Sequence, residues 1–118
     1  MSEPTPARIP YPKAVRLRRE RDFAPLRRAG RRFTGRQALL KLLPNRGPHA
    51  RLGLAAPKGY GNAPRRNRFR RLLREAFRRV VRELAPVDIL ASPRRDLREP
   101  TLDGLVADLR AAAGRSGP

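Results

Sequence analysis

Nine arginines fall between Pro64 and Arg82, against a single acid, Glu75. A guanidinium is planar, permanently charged and able to grip a phosphate through two parallel hydrogen bonds. A run of this kind can therefore hold a polyanion. Arg66, Arg70 and Arg74 recur four residues apart, and on a helix a rise of ~1.5 Å per residue sets such positions ~6 Å apart along one side. A solvated, salt-bridged face would alternate in sign, and each uncompensated like-charge pair at this spacing costs ~0.2–0.5 kcal/mol. Asn67 interrupts the arginines. Its amide both donates and accepts, so it could meet a base edge, a 2′-OH or a neighbouring loop, or simply order the arginines around it.

Other chemistry is poorly provided for. Metal-assisted nuclease action needs clustered carboxylates, whereas Glu3, Glu20, Asp22, Glu75, Glu83, Asp88, Asp96, Glu99, Asp103 and Asp108 are scattered. Asp88 reads as a strand-start residue. The lone histidine, His49, lies beside a turn and reads as a surface residue, not a general base. Cysteine is absent, which removes thiol nucleophiles, disulfides and zinc ribbons. No catalytic or metal-ligating residue is expected. The 29 Lys and Arg against 10 Asp and Glu leave a net charge of +19, and a molecule so charged repels itself until a polyanion neutralises it. No helix-turn-helix or minor-groove wedge pattern points to DNA. No amphipathic anchor, membrane-length apolar run or signal-like N-terminus points to a membrane. A soluble, cytoplasmic protein that binds nucleic acid is the expectation, and composition alone does not tell RNA from DNA.

The elements that must carry these residues follow from periodicity. Residues 1–15, with Pro4, Pro6, Pro10 and Pro12, read as a flexible N-terminal tail, 16–113 as one RNA-binding domain and 114–118 as a C-terminal tail. Phe23 and Leu26 predict a short first helix before Gly30, starting near Arg21 or Asp22 so that Pro25 falls close to its start. Ala38 to Leu43 and Arg51 to Ala55, around the turn formers Pro44 to Pro48, predict two strands paired antiparallel. Phe69, Leu72, Leu73, Ala76, Phe77, Val80, Val81 and Leu84 step by three and four, predicting a long amphipathic helix capped by Asn62 and stopped by Pro86. Arg65, Arg66, Arg70, Arg74 and Arg78 are expected opposite its apolar stripe, with Arg68, Arg71, Arg79 and Arg82 on the flanks. Val87 to Ala91 predicts a strand parallel to the one preceding the long helix, and Thr101 caps a last helix carrying Leu102, Leu105, Val106 and Leu109. The order makes a small α/β sandwich, with helices packed on a sheet.

Leu52-Gly53-Leu54-Ala55, Lys58, Gly61-Asn62-Ala63 and the block from Arg65 to Arg78 together resemble the signature of the bacterial ribonuclease P protein component, with Arg66-Asn67-Arg68 similar to its RNR motif. The resemblance spans about Leu17 to Leu109, with Arg36-Gln37 matching a strand of the family. It implies a four-stranded sheet with three helices and a left-handed strand–helix–strand crossover. It also implies a partner, the catalytic RNA of ribonuclease P, and a substrate, precursor tRNA, whose 5′ leader is removed with Mg2+ held mainly by the RNA. By matched positions Lys58, Arg65, Arg66, Asn67, Arg68, Arg70, Arg71 and Arg74 would face the RNA subunit. Phe23 and Arg36 would lie in a leader-binding cleft between the first helix and the sheet, although Phe23, at helical spacing from Leu26, reads equally as core. Departures are Arg27 at a usual second aromatic, Lys41 at an apolar cleft position, Gly59 at a common lysine and Pro64 at an aliphatic residue. They shift leader binding from stacking toward charge. The alternative is a structural RNA-binding protein of ribosomal type, without a role in turnover.

Overall fold

The computed structural model describes residues 16, 17 and 19–114; the two tails otherwise lie outside the described residues. The first helix, α1, spans Glu20–Ala29. The Asp22 carboxylate accepts the Arg19 backbone N–H at 3.1 Å, and Glu20 and Asp22 at one end with Arg27 and Arg28 at the other complement the helix dipole. The start is slightly earlier than Pro25 suggested. The proline thus sits in the second turn, and the helix survives because fully buried Leu26 pins it to the sheet.

Strand β1 (Arg31–Thr34) pairs antiparallel with β2 (Ala38–Pro44) across a bend at Arg36 and Gln37. Strand β3 is Arg51–Leu54. Helix α2 follows over Ala63–Val80, then β4 over Val87–Pro93 and α3 over Leu102–Ala113. The sheet order is β1-β2-β4-β3, with β4 antiparallel to β2 and parallel to β3.

Two sequence expectations need correction here. The expected antiparallel pairing of β2 with β3 does not form, because β4 lies between them. The reason is burial: Asp88, Ile89, Ala91 and Pro93 of β4 are all buried, which places that strand centrally, and the connection 45–50 is long enough to step over it. The strand matched to Arg36-Gln37 is displaced to Arg31–Thr34. Those earlier residues are mostly exposed and charged, the pattern of a protected edge strand and a weak sequence signal. The parallel β3–β4 pair around α2 was expected and is present.

Asn62 Oδ1 accepts the Arg65 backbone N–H at 3.0 Å, and Pro64 occupies the first turn of α2, where its missing donor costs little. The helix tightens into a 3₁₀ turn at Val81–Glu83 before Pro86. Phe69, Leu73, Ala76, Phe77 and Val80 of α2 pack with Leu105 and Leu109 of α3 and with Leu40, Leu42, Leu52, Ile89 and Ala91 of the sheet. On the opposite sheet face, α1 covers β3 with Phe23, whose ring lies where a Cβ on Gly53 would stand. Only glycine permits that approach. The Arg51 guanidinium meets the mostly buried Asp88 carboxylate at 2.8 and 2.7 Å, which also accepts Asn45 Nδ2 at 2.9 Å. Asp88 therefore ties β3 and the end of β2 to β4, and its hydrogen bond holds the Arg51 pKa above the ordinary arginine value.

Candidate RNA interface

Helix α2 begins in a loop built to orient arginine. Lys58 to Tyr60 form one 3₁₀ turn, leaving Lys58 exposed and Tyr60 buried edge-on against Phe69 at 6.0 Å between ring centroids. Gly61 follows with φ 157°, and a Cβ there would come within 2.5 Å of the Arg65 side chain. Arg65 lies over the Tyr60 ring at 4.6 Å and donates to the Leu97 carbonyl at 2.6 Å. Arg66 donates to the Gly61 carbonyl at 2.9 Å, and Arg70 donates to Asn67 Oδ1 at 3.1 Å. Asn67 thus orders a neighbouring arginine and is itself exposed.

The face assignment differs from the helical-wheel expectation. Arg66, Arg70, Arg74 and Arg78 are half-buried, whereas Arg68, Arg71, Arg79 and Arg82 are exposed, as are Arg65 and Asn67. Arg71, midway between buried Phe69 and Leu73, points away from the core, and Arg66, Arg70 and Arg74 form a row along one flank. The long stems of that row cover apolar surface while their heads reach solvent. The other flank carries Arg65 and Arg68, the latter 3.5 Å from Glu99. Glu75 is engaged by Arg78 at 2.7 Å and more loosely by Arg79 at 3.9 Å. The side chains of Arg71, Arg74 and Lys58 have no ion-pair or hydrogen-bond partner among the described residues.

A second cationic region lies under the C-terminal end of α1. A cleft of about 390 Å³ is lined by Arg27, Arg32, Thr34, Leu39, Lys41, Leu90 and Ser92, with Phe33 and Leu40 at its base. Lys41 Nζ donates to the Arg27 carbonyl at 3.4 Å, joining β2 to the last turn of α1. Phe23, one turn before Arg27, is half-buried against Gly53 and does not line this cleft; Arg36 does not either. Arg36 sits at the β1–β2 bend, where the buried Asp108 carboxylate of α3 accepts the backbone N–H groups of Arg36, Gln37 and Ala38 at 2.9, 2.8 and 2.9 Å. The Gln37 side chain meanwhile clamps Thr101 at the start of α3. Sequence reading missed Arg32, Thr34, Leu39 and Ser92 as cleft residues and Asp108 as the anchor of its outer wall. These are brought together only by strand register and helix docking.

The ribonuclease P family profile matches residues 11–117. The chain belongs to the ribonuclease P protein family. It is similar to the ribonuclease P protein component of Chlamydia muridarum, at 36% identity over 88 residues covering 74% of each chain. The Staphylococcus carnosus component is 32% identical over 91 residues, covering 76% of this chain and 79% of that one. Among solved structures it resembles the RNase P protein of Thermotoga maritima, with a TM-score of 0.74 and 27% identity over 87% of this chain and 98% of that one. The Staphylococcus aureus RNase P protein aligns with a TM-score of 0.73 and 28% identity, covering 84% and 92%. These two structures thus share the overall fold of this chain. Among the described residues no helix is long and apolar enough to cross a membrane.

Proposed function

We propose that this chain is the subunit that docks on the catalytic RNA of ribonuclease P through α2 and holds the 5′ leader of precursor tRNA in the cleft under α1, acting in the cytoplasm. The observation that carries the reading is the pre-arranged arginine surface of α2. Arg65, Arg66 and Arg70 are oriented by local partners and Arg71, Arg74 and Lys58 are left without one among the described residues. Donors already held in place lose little freedom on binding, so more of each phosphate contact is realised as affinity. The cleft supports the second half of the reading, being concave, basic and on the opposite sheet face, so that both RNAs can be held at once.

The chain itself would not cut. Among the described residues no three His, Cys, Asp or Glu side chains form a metal-binding group, and the buried carboxylates Asp88 and Asp108 are saturated by protein donors. Mg2+, where the reaction uses it, would be held mainly by the RNA subunit and substrate. The protein's contribution is positional. Holding the leader on a subunit already docked to the RNA makes delivery of the scissile phosphate intramolecular and raises its effective concentration. Neutralising phosphates would also lower the Mg2+ that folding and binding demand.

Binding to a bacterial ribonuclease P RNA measured across a salt series, with duplex DNA as competitor, tests the docking half. A log–log slope of about −0.7 per phosphate contact in single-stranded regions is expected, with structured RNA winning the competition. An affinity indifferent to salt, or equal for DNA, would overturn it. RNA binding without any effect on precursor cleavage would favour a structural, ribosomal-type role.

A further inference from the structure

The segment between β4 and α3 lies against the flank of α2 that carries Arg65 and Arg68. Its Leu97 carbonyl accepts a hydrogen bond from the Arg65 guanidinium at 2.6 Å, and its Glu99 carboxylate lies 3.5 Å from Arg68. Arg98 stands between those two residues in the chain and is exposed, as is Arg95 three residues earlier. The loop is therefore joined to the opening turns of α2 at two points, and it brings two further guanidinium groups to the same edge of the docking surface. Both lie outside the block from Leu52 to Arg78 that carries the family signature.

The loop is built as a fixed platform. Pro93 and Pro100 are buried at its two ends, and the half-buried Leu97 packs against the core between them. The Leu97 N–H donates to the Arg94 carbonyl at 3.1 Å, closing a turn with Arg95 and Asp96 at its tip. Arg94 holds the base of that turn. Its N–H donates to the Gln37 carbonyl at 2.9 Å and its side chain to the Gly35 carbonyl at 3.3 Å, while the same guanidinium engages both oxygens of Asp96 at 3.1 and 3.2 Å. The acid at the tip is thus taken up by Arg94, and Glu99 lies beside Arg68. The side chains of Arg95 and Arg98 have no ion-pair or hydrogen-bond partner among the described residues. Cations presented by a segment already ordered lose little chain freedom on meeting a phosphate.

From this we infer that the 94–99 loop is a second wall of the RNA-docking surface, with Arg95 and Arg98 contacting phosphates of the same structured RNA that α2 holds. The inference rests on the docking reading above and extends it from one helix to two elements. A straight helix touches a nucleic-acid backbone along a line. A loop beside it adds contacts to the side of that line, and phosphate contacts so placed fix the orientation of the RNA as well as its position. The catalytic RNA, not the leader, is the partner assigned, because the loop is joined to α2, which packs on the sheet face opposite α1 and its cleft.

The test measures the affinity of the full chain for a bacterial ribonuclease P RNA across a salt series. It compares the parent, the loop variant Arg95→Gln with Arg98→Gln, and a control that removes the same charge at the α1–β1 junction, Arg28→Gln with Arg31→Gln. The loop variant should bind at least about fivefold more weakly, with a log–log slope shallower by about 1.4–1.8, two contacts at ~0.7–0.9 each, while the control keeps the parent's slope. Arg95→Lys with Arg98→Lys should restore most of the slope, because a phosphate accepts either cation. Thermal unfolding of the loop variant should match the parent, both side chains being exposed, and on the preformed complex the affinity gained from a 5′ leader should be unchanged. An unaltered slope in the loop variant, beside a loss in Arg66→Ala with Arg70→Ala, would overturn the loop's role and leave docking through α2 standing. No loss in either variant would bring down the docking reading itself. A control that loses as much slope as the loop variant would reduce the effect to net charge, and a loss confined to the leader's contribution would assign the loop to the substrate; either result overturns the inference.

Discussion

On α2 most arginines have a local partner, while in the cleft under α1 Arg32 and Lys41 face each other across adjacent strands, Lys41 donating only to the Arg27 carbonyl and no carboxylate among the described residues lining the cleft. The same chemical group is therefore used in two ways. Along the helix, guanidinium groups are oriented in advance by a tyrosine ring, two carbonyls, an asparagine and two glutamates, and present a convex surface whose geometry is set before RNA arrives. In the cleft, positive groups from α1, β1 and β2 are gathered on a concave face, two of them directly opposite each other across the strands. The first arrangement suits a permanent partner bound by shape and charge.

This division can be broken by substitution. Replacing Arg66 and Arg70 together by Ala should have the largest effect on binding. Hydrogen bonds to charged groups are worth about 1.5–3 kcal/mol each, so affinity for the RNA subunit should fall by at least ~100-fold in a filter-binding titration. Far-UV circular dichroism should be unchanged, because neither residue belongs to the buried stripe of α2. Asp108→Ala comes next and acts on stability. It strands three backbone donors at the β1–β2 bend and should cost about 3 kcal/mol in urea unfolding, loosening the cleft's outer wall and leaving α2 in place. Gly53→Ala should cost about 1–3 kcal/mol by forcing Phe23 and Leu17 away from β3, and should weaken leader binding more than docking on the RNA subunit.

The smallest effect is expected at Glu83, in the 3₁₀ turn after α2, where the Arg110 guanidinium of α3 holds the carboxylate below its ordinary pKa of 4.5. A depressed folded-state pKa contributes stability that is present above the unfolded value and is lost as pH falls through the folded one. Glu83→Gln should therefore lower the melting temperature slightly at neutral pH and low salt, and the difference should vanish in acid and in high salt. A change in RNA affinity of the same size as that of the α2 variant would break the distinction between functional and incidental arginines.

How well each surface can be read from the sequence follows from its construction. Helix α2 lies within one continuous segment, so Asn62, Pro64 and the apolar stripe from Phe69 to Val80 declare it by local spacing, and its arginines come with it. Only the fine division of faces was misjudged. A full wheel places Arg71 outermost and Arg66, Arg70 and Arg74 on a flank, where their stems are half-buried. The cleft has no such signature. It assembles Arg27 from α1, Arg32 from a polar edge strand, Lys41 from β2, and Leu90 and Ser92 from a strand some fifty residues later in the chain. Without knowing that β4 inserts between β2 and β3, no spacing rule brings them together. Asp108 is hidden for the same reason: among scattered acids it looks like any other, and only the docking of α3 against the β1–β2 bend shows what it holds.

The most direct test of the account is multiple-turnover cleavage of a precursor tRNA by a bacterial ribonuclease P RNA at low Mg2+, with and without this chain. The account predicts that the chain stimulates cleavage at the mature 5′ end and produces none when the RNA subunit is omitted. Cleavage by the chain alone, or an unchanged rate despite tight salt-sensitive binding to the RNA, would contradict it.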